Sequence, residues 1–257
     1  MAQKFDLVPP AGSRIVVVGG CGGIGRAVVA ALVDAGCRVA VLDLPASVEQ
    51  HPPGSVEMTI SLDASEEAPV NAAFKRLAEH FTALDGLVNL AGFTRAKIPV
   101  AEMAVTDWED IIAGNLKSTF LCCKAAMPLL RQGIKPAIVN MASGLATRLM
   151  PGYGPYGAAK AGVIAMTKAL AIENAPDVRA NTVAPGAVDT AFLRGGTGQS
   201  RESNSTQLDV TAYTKTIPMG RIAEPADIVG PVLFLLGGGS AYMTGQVLHI
   251  NGGSLTP

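Results

Sequence analysis

The protein chain has 257 residues, of which 49% are hydrophobic and only 16% are charged, and its formal net charge is −1. This composition excludes an intrinsically disordered protein, and the near-neutral charge predicts no nucleic-acid partner and no attraction to a membrane surface. The 29 glycines exceed the average share and follow no three-residue period, which excludes collagen, so they need a local explanation.

The first half of the chain alternates short β-branched runs with longer helical patterns. Three prolines between residues 44 and 54 predict that the helix usually expected between the second and third strands is short or missing. The predicted elements are, in order, strand 14–18, helix 23–35, strand 37–43, strand 56–62, helix 66–83 and strand 87–90.

The second half continues the alternation. Thr106 is predicted to cap a long helix, and Glu109 completes a T-x-x-E capping box with it. The polar stretch 195–206 reads as a mobile surface segment. The predicted elements are helix 106–131, strand 137–141, helix 156–174, strand 178–183, helix 225–236 and strand 246–250.

Continuous apolar strands that alternate with helices indicate a parallel sheet covered on both faces. Right-handed crossovers then give a single doubly wound α/β domain of the Rossmann type over residues 1–257, with seven parallel strands and helices on both faces.

A glycine-rich turn lies between the first strand and the first helix. Five of the seven residues 19–25 (GGCGGIG) are glycine. The missing Cβ atoms let the backbone approach a pyrophosphate, and the helix N-terminus presents N–H groups to it. The turn therefore predicts a dinucleotide site.

Asp43 ends the second strand, 18 residues after Gly25. An acidic residue at this place can accept hydrogen bonds from both hydroxyls of an adenosine ribose, and it would repel a 2′-phosphate. Since neither Gly22 nor Leu44 is an arginine or lysine, the sequence favours NAD over NADP.

A Y-x-x-x-K motif runs from Tyr156 to Lys160, and Ser143 stands 13 residues before the tyrosine. Together with the glycine turn, this constellation resembles the short-chain dehydrogenase/reductase family, and the resemblance extends from Arg14 to Gly253.

Residues i and i+4 share a helix face, so Lys160 is expected beside Tyr156. Its ammonium, with the charge of an oxidised nicotinamide, would favour the tyrosine phenolate, so that Tyr156 serves as general base or, protonated, as general acid. The Ser143 hydroxyl would hydrogen-bond the substrate oxygen. The resemblance further implies that Lys160 binds the nicotinamide ribose.

Residues 89–92 (NLAG) resemble the family's N-N-A-G, with Leu90 in place of the second asparagine. Its implied roles are sheet stabilisation and adenosine contact. Asn115 resembles the helix asparagine that holds a water for a proton relay through Lys160, and it completes the catalytic set with Ser143, Tyr156 and Lys160. The implied cofactor residues are Gly19, Cys21, Gly23, Ile24, Gly25, Asp43, Leu44, Asp63, Ala64, Asn89, Ala91, Gly92, Tyr156, Lys160, Pro185, Gly186, Val188 and Thr190.

By the family pattern the substrate pocket is largely apolar, which suits a medium-sized alcohol or ketone, and a mobile lid covers it at about residues 190–215. Arg95 and Arg148 either steer an anionic group or are simply solvated. Tyr153 lacks a lysine four residues on, so it is expected to line the pocket or pack against the lid. The substrate candidates are Thr94, Ser143, Leu145, Tyr153, Ala187 and Phe192.

The sequence thus predicts an NAD-dependent oxidoreductase that interconverts a secondary alcohol and a ketone. One alternative is an NADPH-dependent reductase of 3-oxoacyl thioesters or other ketones, which for a carrier-protein substrate would need a basic docking face. A second alternative is a non-catalytic dinucleotide-binding protein. The resemblance implies a homotetramer.

Cysteine usage and the N-terminal residues bear on the compartment. The four cysteines form no C-x-x-C pair and have no histidine at metal-ligand spacing, so no metal site is predicted. They are consistent with a reduced, cytoplasmic setting. The N-terminal residues contain no apolar secretory signal, and no uncharged stretch is apolar for long enough to span a bilayer.

Overall fold

A computed structural model describes residues 6–95, 97–196 and 208–256. One parallel sheet is formed by seven strands: β1 (Arg14–Val18), β2 (Arg38–Asp43), β3 (Met58–Ser61), β4 (Gly86–Asn89), β5 (Ala137–Met141), β6 (Arg179–Pro185) and β7 (Val247–Ile250). Their hydrogen-bonded order is β3-β2-β1-β4-β5-β6-β7. The predicted doubly wound fold with seven parallel strands is confirmed.

The described residues also form eight α-helices: α1 (Gly23–Asp34), α2 (Pro45–Gln50), α3 (Glu67–His80), α4 (Val105–Ile112), α5 (Ser118–Leu130), α6 (Gly154–Asn174), α7 (Val210–Thr214) and α8 (Pro225–Leu236). The second of these has only six residues, as its proline-rich surroundings predict.

Two hydrophobic cores lie on opposite faces of the sheet because successive side chains of a strand point to opposite sides. In β1, Val16 and Val18 enter the core shared with α3 and α5. Ile15 and Val17 enter the core shared with α1 and α8. Both sets are buried, which is why the strands read as continuous apolar runs.

The capping box expected at Thr106 is wrong. The first helical hydrogen bond of α4 runs from the Trp108 N–H to the Ala104 carbonyl at 3.2 Å, so the helix begins before Thr106 and has no side-chain cap. The single helix predicted over 106–131 is also interrupted, since Ala113–Lys117 forms a π-helical turn between α4 and α5. Such wide turns are frequent at functional sites.

The strand order reverses between β1 and β4, and the loops after these neighbouring strands meet at the carboxyl edge of the sheet. This is where doubly wound folds bind ligands. The predicted lid contributes a 3₁₀ turn, Ala191–Arg194, and helix α7. Residues 197–207, including Gly198, lie outside the described residues.

Within the ranges that the structure describes, no helix combines the length and the apolar composition needed to cross a membrane.

Candidate active site

The glycine turn after β1 is shaped by close backbone approaches. Gly19 has a φ of +79°, and a Cβ on it would lie 2.7 Å from the Ala91 nitrogen. A Cβ on Gly25 would collide with the Gly19 carbonyl oxygen, and one on Gly23 would lie 2.6 Å from the Thr190 side chain. Side chains are therefore excluded at these three positions, which leaves the backbone of the turn open to a ligand.

Helix α1 starts from this turn with Gly22 as its N-cap residue and without a side-chain cap. Its first N–H groups consequently have no intrahelical or capping acceptor. Since these residues line a large cavity, the helix end can bind an anionic group there. The turn therefore fits the pyrophosphate of a dinucleotide.

The cavity has a volume of about 960 Å³ and follows the carboxyl ends of the strands. Every residue of the implied cofactor set except Asn89 lines it. The structure therefore brings these residues together in one space, from Asp63 at one end to Pro185 at the other.

Asp43 lines the cavity beside the glycine turn. Its carboxylate accepts a hydrogen bond from the Cys21 N–H at 2.8 Å and another from the Leu44 N–H at 2.8 Å. Burial raises the pKa of Asp43, whereas these N–H groups and the Ser47 hydroxyl oppose that shift. The carboxylate is thus held in place at the site where an adenosine ribose is expected.

Asn89 does not reach the cavity. It is only 3% exposed, and its side-chain amide donates to the Asn140 Oδ1 at 2.7 Å. Asn140 in turn donates to the Thr167 Oγ1 at 2.9 Å. Asn89 points to the face covered by α5, away from the cavity, so the structure gives it a place in a cross-strand polar network and no side-chain contact with a nucleotide.

Ser143, Tyr156 and Lys160 line the same cavity at its other end. Ser143 follows β5, and its Oγ accepts a hydrogen bond from the Leu145 N–H at 3.2 Å. Tyr156 and Lys160 lie one turn apart on α6, with the Lys160 Nζ 5.6 Å from the centroid of the tyrosine ring. The Lys160 ammonium donates to the Met141 carbonyl at 3.0 Å, which fixes it beneath the ring.

Burial controls the protonation of both groups. It raises the pKa of Tyr156 to about 12, which a hydrogen bond with Ser143 partly opposes. It lowers the pKa of Lys160 to about 8. Burial is the largest cause of both shifts in the protein alone. At neutral pH Tyr156 carries its proton and can act as an acid.

Asn115 lies in the π-helical turn and is fully buried. Its amide nitrogen donates to the carbonyls of Phe93, at 2.8 Å, and Ile111, at 2.9 Å. Its Oδ1 is buried without a hydrogen-bond partner among the described residues. A Cβ on Gly92 would meet both this oxygen and the Lys160 Nζ. An unpaired acceptor beside the ammonium is the arrangement that a bridging water needs.

The six substrate candidates all line the cavity near Tyr156. The Phe192 ring packs 6.0 Å from the Tyr156 ring. Tyr153 stands at the start of α6 with the Lys97 Nζ 5.4 Å from its ring centroid. The prediction that Tyr153 lines the pocket therefore agrees with its position.

Several residues that line the cavity were not predicted from the sequence. Ser47 stands four residues after Asp43, and this spacing was the one signal that could have placed it there. The other unpredicted residues lie in helices, turns and the C-terminal segment, which reach the cavity only through tertiary packing. They include Gln50, His51, Tyr213, Thr216, Asn251 and Leu255.

Comparison with known proteins identifies relatives of this chain. A family model described as enoyl-(acyl carrier protein) reductase matches residues 19–254. The 3-oxoacyl-(acyl-carrier-protein) reductase of Vibrio cholerae serotype O1 is 33% identical over 246 residues, which cover 94% of this chain and 97% of the relative.

Solved structures agree with the family model. A short-chain dehydrogenase/reductase from Brucella melitensis, titled glucose/ribitol dehydrogenase, has a TM-score of 0.86 and 30% identity, covering 99% of this chain and 100% of its own. A 3-ketoacyl-(acyl-carrier-protein) reductase from the same organism, complexed with NADH, has a TM-score of 0.84 and 27% identity, covering 95% and 98%.

Proposed function

Because the chain belongs to the short-chain dehydrogenase/reductase family of oxidoreductases, we propose that it interconverts a ketone and a secondary alcohol with NAD(H). The observation that carries this proposal is the shared cavity. It joins the glycine turn and Asp43 at one end to Ser143, Tyr156 and Lys160 at the other.

Each residue of the catalytic end has a distinct task in this proposal. Tyr156 gives its proton to the carbonyl oxygen during reduction and takes it back during oxidation. The Ser143 hydroxyl hydrogen-bonds the same oxygen and stabilises the charge that develops on it. A nicotinamide dinucleotide, when bound, supplies or accepts the hydride at the substrate carbon.

Lys160 and Asn115 support the proton transfer. The Lys160 ammonium, held by the Met141 carbonyl, is placed to bind ribose hydroxyls and to favour the charged form of Tyr156. The unpaired Asn115 Oδ1 is placed to hold a water next to that ammonium. Such a water would carry the proton that Tyr156 must recover after each reduction.

The names of the relatives support reduction of a 3-oxoacyl thioester better than oxidation of an alcohol. The Brucella melitensis 3-ketoacyl-(acyl-carrier-protein) reductase was solved as a complex with NADH, and Asp43 of this chain lines the cavity where its charge would repel a 2′-phosphate. We therefore propose an NADH-dependent ketoreductase first and an NAD-dependent alcohol dehydrogenase second.

A substrate panel read in both directions tests this order. Purified protein should oxidise NADH with acetoacetyl-CoA or acetoacetyl-N-acetylcysteamine faster than it reduces NAD with simple secondary alcohols. Faster alcohol oxidation would favour the second candidate. Absence of turnover with every substrate and with either nucleotide would favour a non-catalytic dinucleotide-binding protein.

The pH dependence of reduction should follow Lys160. Its pKa of about 8 means that the ammonium is present below this pH and is lost above it. We expect kcat/KM for NADH to fall above pH 8 by about tenfold per pH unit, since this parameter reports ionisations of the enzyme before the nucleotide binds. Tyr156 stays protonated through this range. A profile that is flat from pH 7 to pH 10 would contradict the role of the ammonium.

The assembly and the compartment stay predictions. We propose the homotetramer and the cytoplasmic setting that the sequence analysis expects.

A further inference from the structure

We propose that Arg148 binds an anionic oxygen group of the substrate, a carboxylate or a phosphate, at the catalytic end of the cavity. The inference rests on the proposed function, because it concerns the substrate of the same site. The proposed substrate therefore carries a negatively charged group at a distance from its reacting carbonyl.

The loop after β5 positions Arg148. The Arg148 N–H donates to the Gly144 carbonyl at 2.9 Å, so the residue belongs to the same turn that starts at Ser143. Arg148 is one of the residues that line the cavity together with Ser143 and Tyr156, and it is exposed to solvent there. A substrate whose carbonyl contacts these two hydroxyls therefore extends through a space that Arg148 borders.

Two arginines border this end of the cavity, and they differ in their partners. Arg95 pairs with Asp110 at 2.7 Å and with Asp107 at 3.5 Å, and it packs 5.4 Å from the centre of the Phe93 ring. Its charge is thus already balanced by the protein.

Arg148 has no such balance within the described ranges of the chain. Within those ranges, the only hydrogen bond that the Arg148 side chain makes runs from Nη1 to the Ser254 carbonyl at 3.4 Å, a long contact with a neutral acceptor. None of the ion pairs found among those residues includes it. A guanidinium has five N–H donors, so most of them are available to a ligand.

None of the carboxylates among the described residues of the cavity wall balances the positive charge of Arg148. Asp43 ends β2 and Asp63 follows β3 at the nucleotide end, and Asp107 is already paired with Arg95. The described wall around the substrate therefore carries an unbalanced positive charge. A planar guanidinium with unused donors recognises a carboxylate or a phosphate by paired, charge-assisted hydrogen bonds.

Three substrates with one reacting carbonyl separate the sources of the anion. Acetoacetyl-N-acetylcysteamine is uncharged, acetoacetate carries a carboxylate, and acetoacetyl-CoA carries phosphates. We expect Arg148→Gln to lower kcat/KM for one of the charged substrates by roughly tenfold or more relative to the uncharged thioester, mainly through KM. The substrate whose ratio falls identifies the carboxylate or the phosphate as the ligand.

Arg95→Gln is the matched control, because Arg95 borders the same cavity but is already paired. It should leave both ratios within about twofold. Equal ratios in wild type and Arg148→Gln would overturn the inference, as would an equal fall of the ratios in both variants. Circular dichroism and thermal unfolding of each variant verify that it is folded.

Direct binding separates this inference from the proposed function. Calorimetric titration with acetoacetate and with coenzyme A measures the site without turnover. A wild-type protein that binds one of these anions but reduces no ketone would contradict the proposed function, and loss of that binding in Arg148→Gln would still support the site. Equal binding of both anions by wild type and Arg148→Gln would overturn the site even if ketones are reduced.

Discussion

Replacement of Tyr156 by phenylalanine is expected to lower kcat for ketone reduction by about 10²- to 10⁴-fold, the usual contribution of a positioned acid or base. The change removes one hydroxyl and leaves the ring that packs near Phe192. Since the pKa of the buried hydroxyl is about 12, the proton is available throughout the neutral range and nothing else on α6 replaces it. Steady-state reduction of a 3-oxoacyl thioester measures the loss.

Tyr153→Phe is the control for this substitution. Tyr153 lines the same cavity, but Gly157 stands where a lysine would be needed. It should change kcat by less than about tenfold, since it removes a contact and no proton-transfer group. Fluorescence titration should show that Tyr156→Phe still binds NADH. A Tyr156→Phe variant that turns over at the wild-type rate would refute the assignment of the proton donor.

Asp43→Asn is expected to weaken the preference for NADH over NADPH by roughly tenfold or more. The negative charge of Asp43 repels a 2′-phosphate and strengthens the hydrogen bonds to ribose hydroxyls, and the substitution removes this charge. Asparagine keeps an acceptor for the Cys21 N–H, so the glycine turn should persist. The ratio of kcat/KM for the two nucleotides measures the effect.

Asp63→Asn serves as its control. Asp63 lines the same end of the cavity, where its Oδ1 accepts from the Ser65 N–H at 2.9 Å. Its neutralisation should alter the affinity for both nucleotides alike and leave their ratio nearly unchanged. An unchanged ratio in Asp43→Asn would contradict the role given to that carboxylate.

Much of the fold was predictable because it is encoded locally. Strand β5 and helix α8 have the bounds that the sequence predicts, since both are mainly apolar segments with clear ends. Helix α8 also has a capping box, in which Glu224 and Asp227 exchange hydrogen bonds with the backbone. The capping box predicted at Thr106 was wrong because Ala104 is already the N-cap residue of α4. The spacing of residues in the sequence does not reveal that the helix begins earlier.

The candidate site was predictable where a motif determines the positions. The glycine turn and the four-residue spacing of Tyr156 and Lys160 place their residues in one cavity. The polar network of Asn89 was not predictable from the sequence, because it depends on the pairing of β4 with β5, which places Asn140 beside Asn89.

The electrostatics of the site required the three-dimensional structure. Desolvation of Tyr156 and Lys160 depends on the elements packed around α6, so motif spacing does not reveal that burial raises the pKa of Tyr156 and lowers that of Lys160. The different ion pairing of Arg95 and Arg148 also depends on the three-dimensional structure. It depends on Asp110, which the sequence does not connect with either arginine.

The most direct test of the account compares NADH with NADPH in the wild-type protein, with a 3-oxoacyl thioester as substrate and the 3-hydroxy product quantified. We predict one hydroxy product for each NADH oxidised, and a kcat/KM for NADH that exceeds that for NADPH by roughly tenfold or more. A higher kcat/KM with NADPH, or oxidation of NADH without a hydroxy product, would contradict it.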